Sequence, residues 1–442
     1  MVSTSVHMSA DDRVVLPPGP RLPRWVQGAA AVVDRRGGLR LLHQVYGPEY
    51  TLHLPIFGPT VAVSDPELVR QVFKAPAGML ENVEQNLGRV MGPDSMFALT
   101  GERHRAHRKL LAPPFHGRRL GRYDTVMELE AQREFARVPV GTVTAMLPSM
   151  MRITLNIILR AVFGAQGRHF ERLQVLLPRM VELGAQLALI PVPQWDWGRW
   201  SPWGRFLGYR REYDAIVGEL VEAARTDPAL DEREDILALM VQSRYDDGAQ
   251  MTIGEIADEL VALLTAGHET TATTLAWAVE RLQRHPAVLE RLVADLDDGD
   301  EQSLMAVITE VQRCRPVIDS VFRQVAAPRF ELGPWVLPRG QVILVSIGLL
   351  HANPQVFPDP DRFDPERFLR ARRDINTWIP FGGGNRRCLG AAFAELEMRV
   401  VLRTLLREFT LTPRAVPDER WHSRGVAFAP ARGGQAVLTP RR

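Results

Sequence analysis

Apolar and polar positions alternate between Tyr50 and Asp65 (YTLHLPIFGPTVAVSD) on either side of Phe57-Gly58-Pro59, which predicts a β-hairpin. At PELVRQVF, from Pro66 to Phe73, the spacing changes to that of a helix, and from about Arg118 to Arg284 helical period dominates. The longest such run, Thr252–His285, opens on Thr252 and Glu255 spaced as a capping box and stops at Pro286. At ~1.5 Å per residue it spans ~50 Å, enough to cross a domain. The main interruption is Ile190–Pro202 (IPVPQWDWGRWSP), where Trp195, Trp197 and Trp200 fall close together and Trp203 follows directly. Gln341–Leu350 (QVILVSIGLL) is a second strand-like stretch after a turn at Pro338-Arg339-Gly340, and a last helix runs from about Leu389 to Phe409. These elements predict a mainly α chain with a minor β portion near both ends. It forms one domain over residues 1–442, of which 1–24 are an extended, proline-containing lead-in.

Composition narrows the function. The chain has 442 residues, 45% hydrophobic and 24% charged, the balance of a soluble globular protein with a large core. A net charge of +2 gives no global reason to expect nucleic acid as a partner. No apolar run reaches the ~20 residues that cross a bilayer, and the N-terminus has no signal-peptide core. The expected setting is cytoplasmic, with contact to a membrane surface left open. The two cysteines, Cys314 and Cys388, are too few for a disulfide framework, a four-cysteine zinc site or an iron–sulfur cluster held by this chain. A reducing compartment fits them.

Cys388 sits in IPFGGGNRRCLGAAFAELE (Ile379–Glu397), where a glycine-rich loop meets a helix start. The helix dipole and unpaired N–H groups there favour the thiolate over the thiol. The glycines let the backbone turn tightly and approach a flat ligand, and Gly390 removes another side chain from that surface. An axial haem thiolate needs these features. Taken alone they leave other roles open, because a lone cysteine near a helix start is more often a small buried residue. A phosphate cradle fits less well, since GGGNRRCLG lacks the Gly-Lys-Ser/Thr ending. No sequence signature pairs a histidine base with a nucleophilic cysteine here.

Phe381, Gly384, Arg386, Cys388 and Gly390 match Phe-x-x-Gly-x-Arg-x-Cys-x-Gly, and on these residues the chain resembles the cytochrome P450 superfamily, soluble bacterial type. The similarity extends over nearly the whole chain, from Pro17 to Pro430. It places Ala266-Gly267-His268-Glu269-Thr270-Thr271, midway along the long helix, at the family's oxygen-activation motif. Ala266 would leave room above the iron. Thr270, its hydroxyl bonded to a carbonyl one turn earlier, would support oxygen activation, and Glu269 would feed protons from solvent. Glu310 and Arg313 match Glu-x-x-Arg, with Arg367 of FDPERF completing a structural triad. His104 and Arg108 of GERHRAHRKLLAPPF, with Arg323 and Arg386, fall where the family holds the haem propionates, anions suited to a guanidinium fork.

The resemblance implies the cytochrome P450 fold, a triangular, helix-rich single domain with haem b between the long central helix and the cysteine loop and the Cys388 thiolate on the iron. Such a thiolate favours O–O cleavage. The implied activity is monooxygenation, one atom of O2 entering a lipophilic small molecule of the fatty acid, terpenoid or steroid class. Electrons are expected from a separate ferredoxin or flavodoxin with its NAD(P)H reductase, with Arg118, Arg119, Arg122 and Arg387 as candidates for docking it. The segments expected to line the pocket are Met79–Phe97, Gly184–Trp203, Leu260–Ala266, Val317–Phe322 and Val426–Phe428, with Asn82, Gln85 and Asp319 as candidate polar anchors. The tryptophans fall at the family's access lid, where they pack on one another or meet a membrane. Two rival functions stand beside this one. A partner-independent haem-thiolate peroxygenase or isomerase is opposed by the intact Glu269-Thr270 pair, and a non-enzymatic haem sensor by the lack of a leftover output domain.

Overall fold

In the computed structural model the backbone gathers into two units, described over residues 14–55, 57–83, 87–115, 117–164, 167–189 and 195–441. One unit is assembled from Met1–Val83, Asp319–Pro358 and Asp374–Arg387, the other from Glu84–Ile318, Asp359–Arg373 and Cys388–Arg442.

The first unit is built on a five-stranded sheet in the order Glu49–Leu54, Gly58–Val63, Val342–Ser346, Ser320–Val325, Leu80–Glu81. The alternating stretch forms the expected hairpin. Glu49 pairs with Val63 and Leu54 with Gly58, whose φ of +66° lets the chain reverse. Gly58–Val63 then runs parallel to Val342–Ser346, the middle strand, in which every residue is buried. Its Ile343 and Val345 pack with Val61, Val63, Val69 and Val325 into one core. The strand-like stretch Gln341–Leu350 ends early. The N–H groups of Ile347 and Gly348 donate to the Asp319 carbonyl, and Ile347–His351 is a short helix capped by the Ser346 hydroxyl. A short apolar run fits strand or buried helix equally well, so its pattern could not mark this change. Of the lead-in, residues 1–13 lie outside the described residues. Val15 bridges to Val336, and a helix begins at Arg24.

The second unit is mostly helical. Ile253–Arg284 is its longest element, and the capping box is present, the Thr252 hydroxyl accepting from the Glu255 N–H and the Glu255 carboxylate from the Thr252 N–H. This central helix packs most extensively on Leu147–Phe163. The helix after Cys388 spans Ala391–Glu408. The β portion is small: a three-stranded sheet of Val143–Ala145, Gln435–Pro440 and Phe409–Leu411, and a hairpin of Trp421–Ser423 with Phe428–Pro430. In the tryptophan-rich interruption, residues 190–194 lie outside the described residues, Gly198–Trp200 is one 3-10 turn and a helix starts at Pro202. Among the described residues, no helix is long and apolar enough to cross a membrane.

Candidate active site

The middle of the central helix carries the first group of predicted residues. Ala266 is exposed, although most of this helix is buried from Ile256 to Gln283. The Thr270 hydroxyl donates to the Ala266 carbonyl at 2.7 Å, and the Thr274 hydroxyl donates to the Thr270 carbonyl at 2.9 Å. The back-bond expected of Thr270 is therefore present, and the α-helix continues through it. Between them His268 points inward. Thr154 donates to its carbonyl at 2.9 Å, and burial lowers the imidazole pKa to about 4 against a hydrogen bond to the Met151 backbone. Glu269 has a partner that the sequence did not reveal. Its carboxylate is 13% exposed and accepts from Nε of Arg424 at 2.7 Å.

Cys388 lies just ahead of the Ala391–Glu408 helix and is exposed, while Leu389 and Ala391 after it are buried. The glycines before it have a packing role of their own. A Cβ on Gly383 would meet the Phe73 ring at 2.3 Å, and one on Gly384, where φ is +68°, would meet the Phe73 carbonyl oxygen at 2.5 Å. Phe381 sits edge-on to Trp378, with the Arg387 guanidinium 6.0 Å from its ring centre. The Cys314 thiol is half-buried and donates to the Val311 carbonyl, and desolvation pushes it up to about 11.

Arg323, on the strand Ser320–Val325, is 7% exposed and donates to the carbonyls of Phe322 and Gly383 at 2.8 and 3.3 Å. Among the described residues no carboxylate pairs with it. Burial and then the positive charge of Arg386 bring its pKa down to about 10, against the pull of Glu81. Arg386 itself reaches Glu81 at 3.1 Å. A buried guanidinium held only by carbonyls is an environment that a carboxylate-bearing ligand completes, so these residues fit the propionate end of haem.

His104 and Arg108 lie one turn apart on the Gly101–Leu111 helix, His104 buried and Arg108 half-buried. The sequence did not reveal their neighbour's partners. His107 meets the Glu259 carboxylate through Nδ1 at 2.8 Å and the Tyr245 hydroxyl through Nε2 at 2.9 Å, tying this helix to the central one. The positions are 152 and 138 residues apart, beyond any local pattern.

The Glu-x-x-Arg match is a closed cluster. Glu310 accepts twice from Arg313 at 2.7 Å, from Arg367 Nε at 3.3 Å and from the Asp364 N–H at 2.9 Å. Asp319 is buried in an ion pair with Arg36, which leaves it no freedom to anchor a ligand. Gln85 and the side chains of Arg118 and Arg119 lie outside the described residues. Arg122 pairs with Glu234, and Arg387 is exposed. Trp195 and Trp197 stack at 4.9 Å and are exposed together with Trp200, whereas Trp203 is buried against Phe206.

The pattern of the family described as cytochrome P450 matches residues 17–433. The protein named cytochrome P450 138 of Mycobacterium tuberculosis is 51% identical over 428 residues, covering 97% of each chain. The one named cytochrome P450 135B1 of the same organism is 40% identical over 442 residues, 97% of this chain and 92% of its own. Among solved structures, a cyanobacterial cytochrome P450 with retinoic acid bound superposes with a TM-score of 0.85 at 23% identity, covering 97% of this chain and 100% of that one, a likeness of fold.

Proposed function

The chain belongs to the cytochrome P450 family of haem-thiolate monooxygenases, and from this premise we propose that it inserts one atom of O2 into a lipophilic small molecule with Cys388 as the iron ligand. The observation that carries the ligand assignment is the contrast between the two cysteines. Cys388 is exposed at the end of the glycine loop, while burial holds Cys314 as a thiol. A metal ligand must be a thiolate, so only Cys388 is suited to the role. Bound haem supplies O2 activation, with the thiolate favouring O–O cleavage.

The other residues bind and orient. Arg323 and Arg386 receive the propionates, together with His104 and Arg108, and the burial of Arg323 against carbonyls, with no carboxylate paired to it among the described residues, supports this. Phe381 and Gly384 shape the loop that presents Cys388, and Ala266 keeps the helix face open. Because the Thr270 hydrogen is committed to the Ala266 carbonyl, the hydroxyl oxygen faces outward as an acceptor and can hold a proton donor in place. Glu269, the next residue, supplies the proton. The apolar makeup of Leu260–Ala266 and Val426–Phe428 supports a substrate of the fatty acid, terpenoid or steroid class. Electrons come from a ferredoxin or flavodoxin with its NAD(P)H reductase, which Arg122 and Arg387 help to dock. The protein works in the cytoplasm, and any contact with a membrane surface falls on Trp195, Trp197 and Trp200.

The test is the absorption spectrum of the dithionite-reduced protein under carbon monoxide. The expected result is the strongly red-shifted Soret band of a thiolate-ligated haem, lost in Cys388→Ala. A band typical of histidine ligation, or no haem in folded protein, overturns the assignment.

A further inference from the structure

The ion pair between Glu269 and Arg424 joins two places that the sequence kept apart. Glu269 is one residue before Thr270 on the central helix. Arg424 follows the strand Trp421–Ser423 and begins the tip of a hairpin whose return strand is Phe428–Pro430. The tip is tight: the Arg424 N–H donates to the Ala427 carbonyl at 2.9 Å, and Gly425 has a φ of +94°, with a Cβ there only 3.1 Å from Ala185. The return strand is held independently at its first residue. Trp277 donates from its indole to the Phe428 carbonyl at 3.0 Å, and the Phe428 N–H donates to the Val317 carbonyl at 2.9 Å. Arg424 is therefore not needed to anchor the hairpin, and its side chain is spent on one carboxylate.

We infer that Arg424 is a positioning residue for Glu269, fixing the carboxylate beside Thr270 and making the supply of protons there depend on the seating of the 424–427 tip. This rests on the proposed role of Glu269 and deepens it. A carboxylate that must accept a proton from water and pass it on needs both a defined location and the freedom to leave its partner. A pair that still reaches solvent on its Arg424 side, 34% exposed, gives both, because it is directional yet able to open. The tip also carries Val426, in a segment expected to line the pocket. A substrate seated against it would alter the pair and with it the delivery of protons.

The test uses the holoenzyme with a plant-type ferredoxin and its reductase as electron source, without substrate, over a range of pH. Two electrons and two protons convert O2 to hydrogen peroxide, and four of each convert it to two waters. Peroxide released per O2 consumed thus reports how well protons are delivered. Arg424→Gln is expected to raise that ratio about threefold, the scale of a partly exposed ion pair, and to alter its pH profile. Arg424→Lys restores it in part, and Arg424→Gln adds nothing in a Glu269→Gln background. Equal effects of Arg424→Gln in both backgrounds would assign Arg424 a merely structural role and overturn the proposal, as would an unchanged ratio. A second measurement does not depend on haem chemistry. Hydrogen exchange of the 424–427 amides should rise alike in Glu269→Gln and Arg424→Gln while the Phe428 and Ala429 amides keep their protection. If Glu269→Gln leaves the tip untouched, the pair is absent in solution and the proposal falls, even where the carbon monoxide spectrum has upheld the monooxygenase assignment. If that spectrum fails instead, the exchange result still decides whether Arg424 holds Glu269.

Discussion

Two buried arginines in this chain are accommodated in opposite ways. Arg313, 1% exposed, forms a two-pronged contact with Glu310, an acid that also takes Arg367 and the Asp364 N–H. Arg323, 7% exposed, touches two carbonyls and lies near a second guanidinium, Arg386. Desolvating a charge costs several kcal/mol unless a partner offsets it. In the first cluster the fold itself supplies the partner, so the charge serves the fold. In the second the compensation is incomplete, and the fold carries a cost that an incoming anion relieves. Burial alone thus does not separate Arg313 from Arg323; the presence of a directly paired acid does.

The comparison is broken most severely at Glu310. Glu310→Gln keeps the shape and removes the charge, leaving Arg313 buried without its acid. The expected loss is about 3–5 kcal/mol of stability, the usual consequence of removing one partner of a buried pair. Urea midpoints measure it, and a change under about 1 kcal/mol would mean that the cluster is not a closed charge system.

His268 resolves the same difficulty by giving up its charge. Its pKa is about 4 in the fold against 6.5 in an open chain. As pH falls through 6.5 the unfolded chain takes up the proton and the folded chain does not. The stability due to neutral His268 is therefore full above pH 6.5 and is lost down to about pH 4, a fall of about 3 kcal/mol. Nδ1 of this ring is buried without a partner, so His268→Leu should flatten that slope at modest cost near neutral pH. An equally steep acid loss in His268→Leu would place the titration elsewhere.

Much of this was legible along the chain because its signals are local. The capping box at Thr252, the hairpin turn at Gly58 and the Glu310–Arg313 spacing are each contained within a few residues, and each formed as expected. The Thr270 back-bond follows from helix geometry alone. The pairs that escaped are long-range: Arg36 with Asp319 over 283 positions, Glu269 with Arg424 over 155, His107 with Glu259 over 152. A charge in sequence carries no record of a distant partner, so Glu269 looked open to solvent and Asp319 looked available to a ligand. The end of Val342–Ser346 was missed for a related reason, since the Asp319 carbonyl that takes the Ile347 and Gly348 N–H groups lies far back in the sequence, just ahead of the strand Ser320–Val325.

A smaller effect sharpens the comparison from the other side. Arg323→Met should leave the haem-free protein as stable as before or slightly more so, because it removes a buried charge that the fold does not pair. The holoenzyme should suffer, losing haem about tenfold faster, the scale of one charge-assisted hydrogen bond. Haem transfer to an acceptor protein gives the rate. Destabilisation of the haem-free protein by several kcal/mol, as in Glu310→Gln, would erase the distinction between the two arginines.

The least of these effects probes that distinction without removing either arginine. If Arg323 and Arg386 await an anion, a small dicarboxylate such as succinate should bind the haem-free fold weakly and raise its melting temperature. Weak binding at a few times its dissociation constant gives about 1 kcal/mol, or ~1–2 °C for a chain of this size. Sodium chloride at equal ionic strength controls for screening, which acts on all exposed charges alike. The rise should vanish in Arg323→Met and persist in Glu310→Gln, because the Arg313 cluster has no place left for an anion. It should also vanish once haem is bound, since the propionates would then hold the same guanidinium groups. A response that survives Arg323→Met would move the anion to other arginines, and incomplete charge compensation would no longer mark this pair as a binding site.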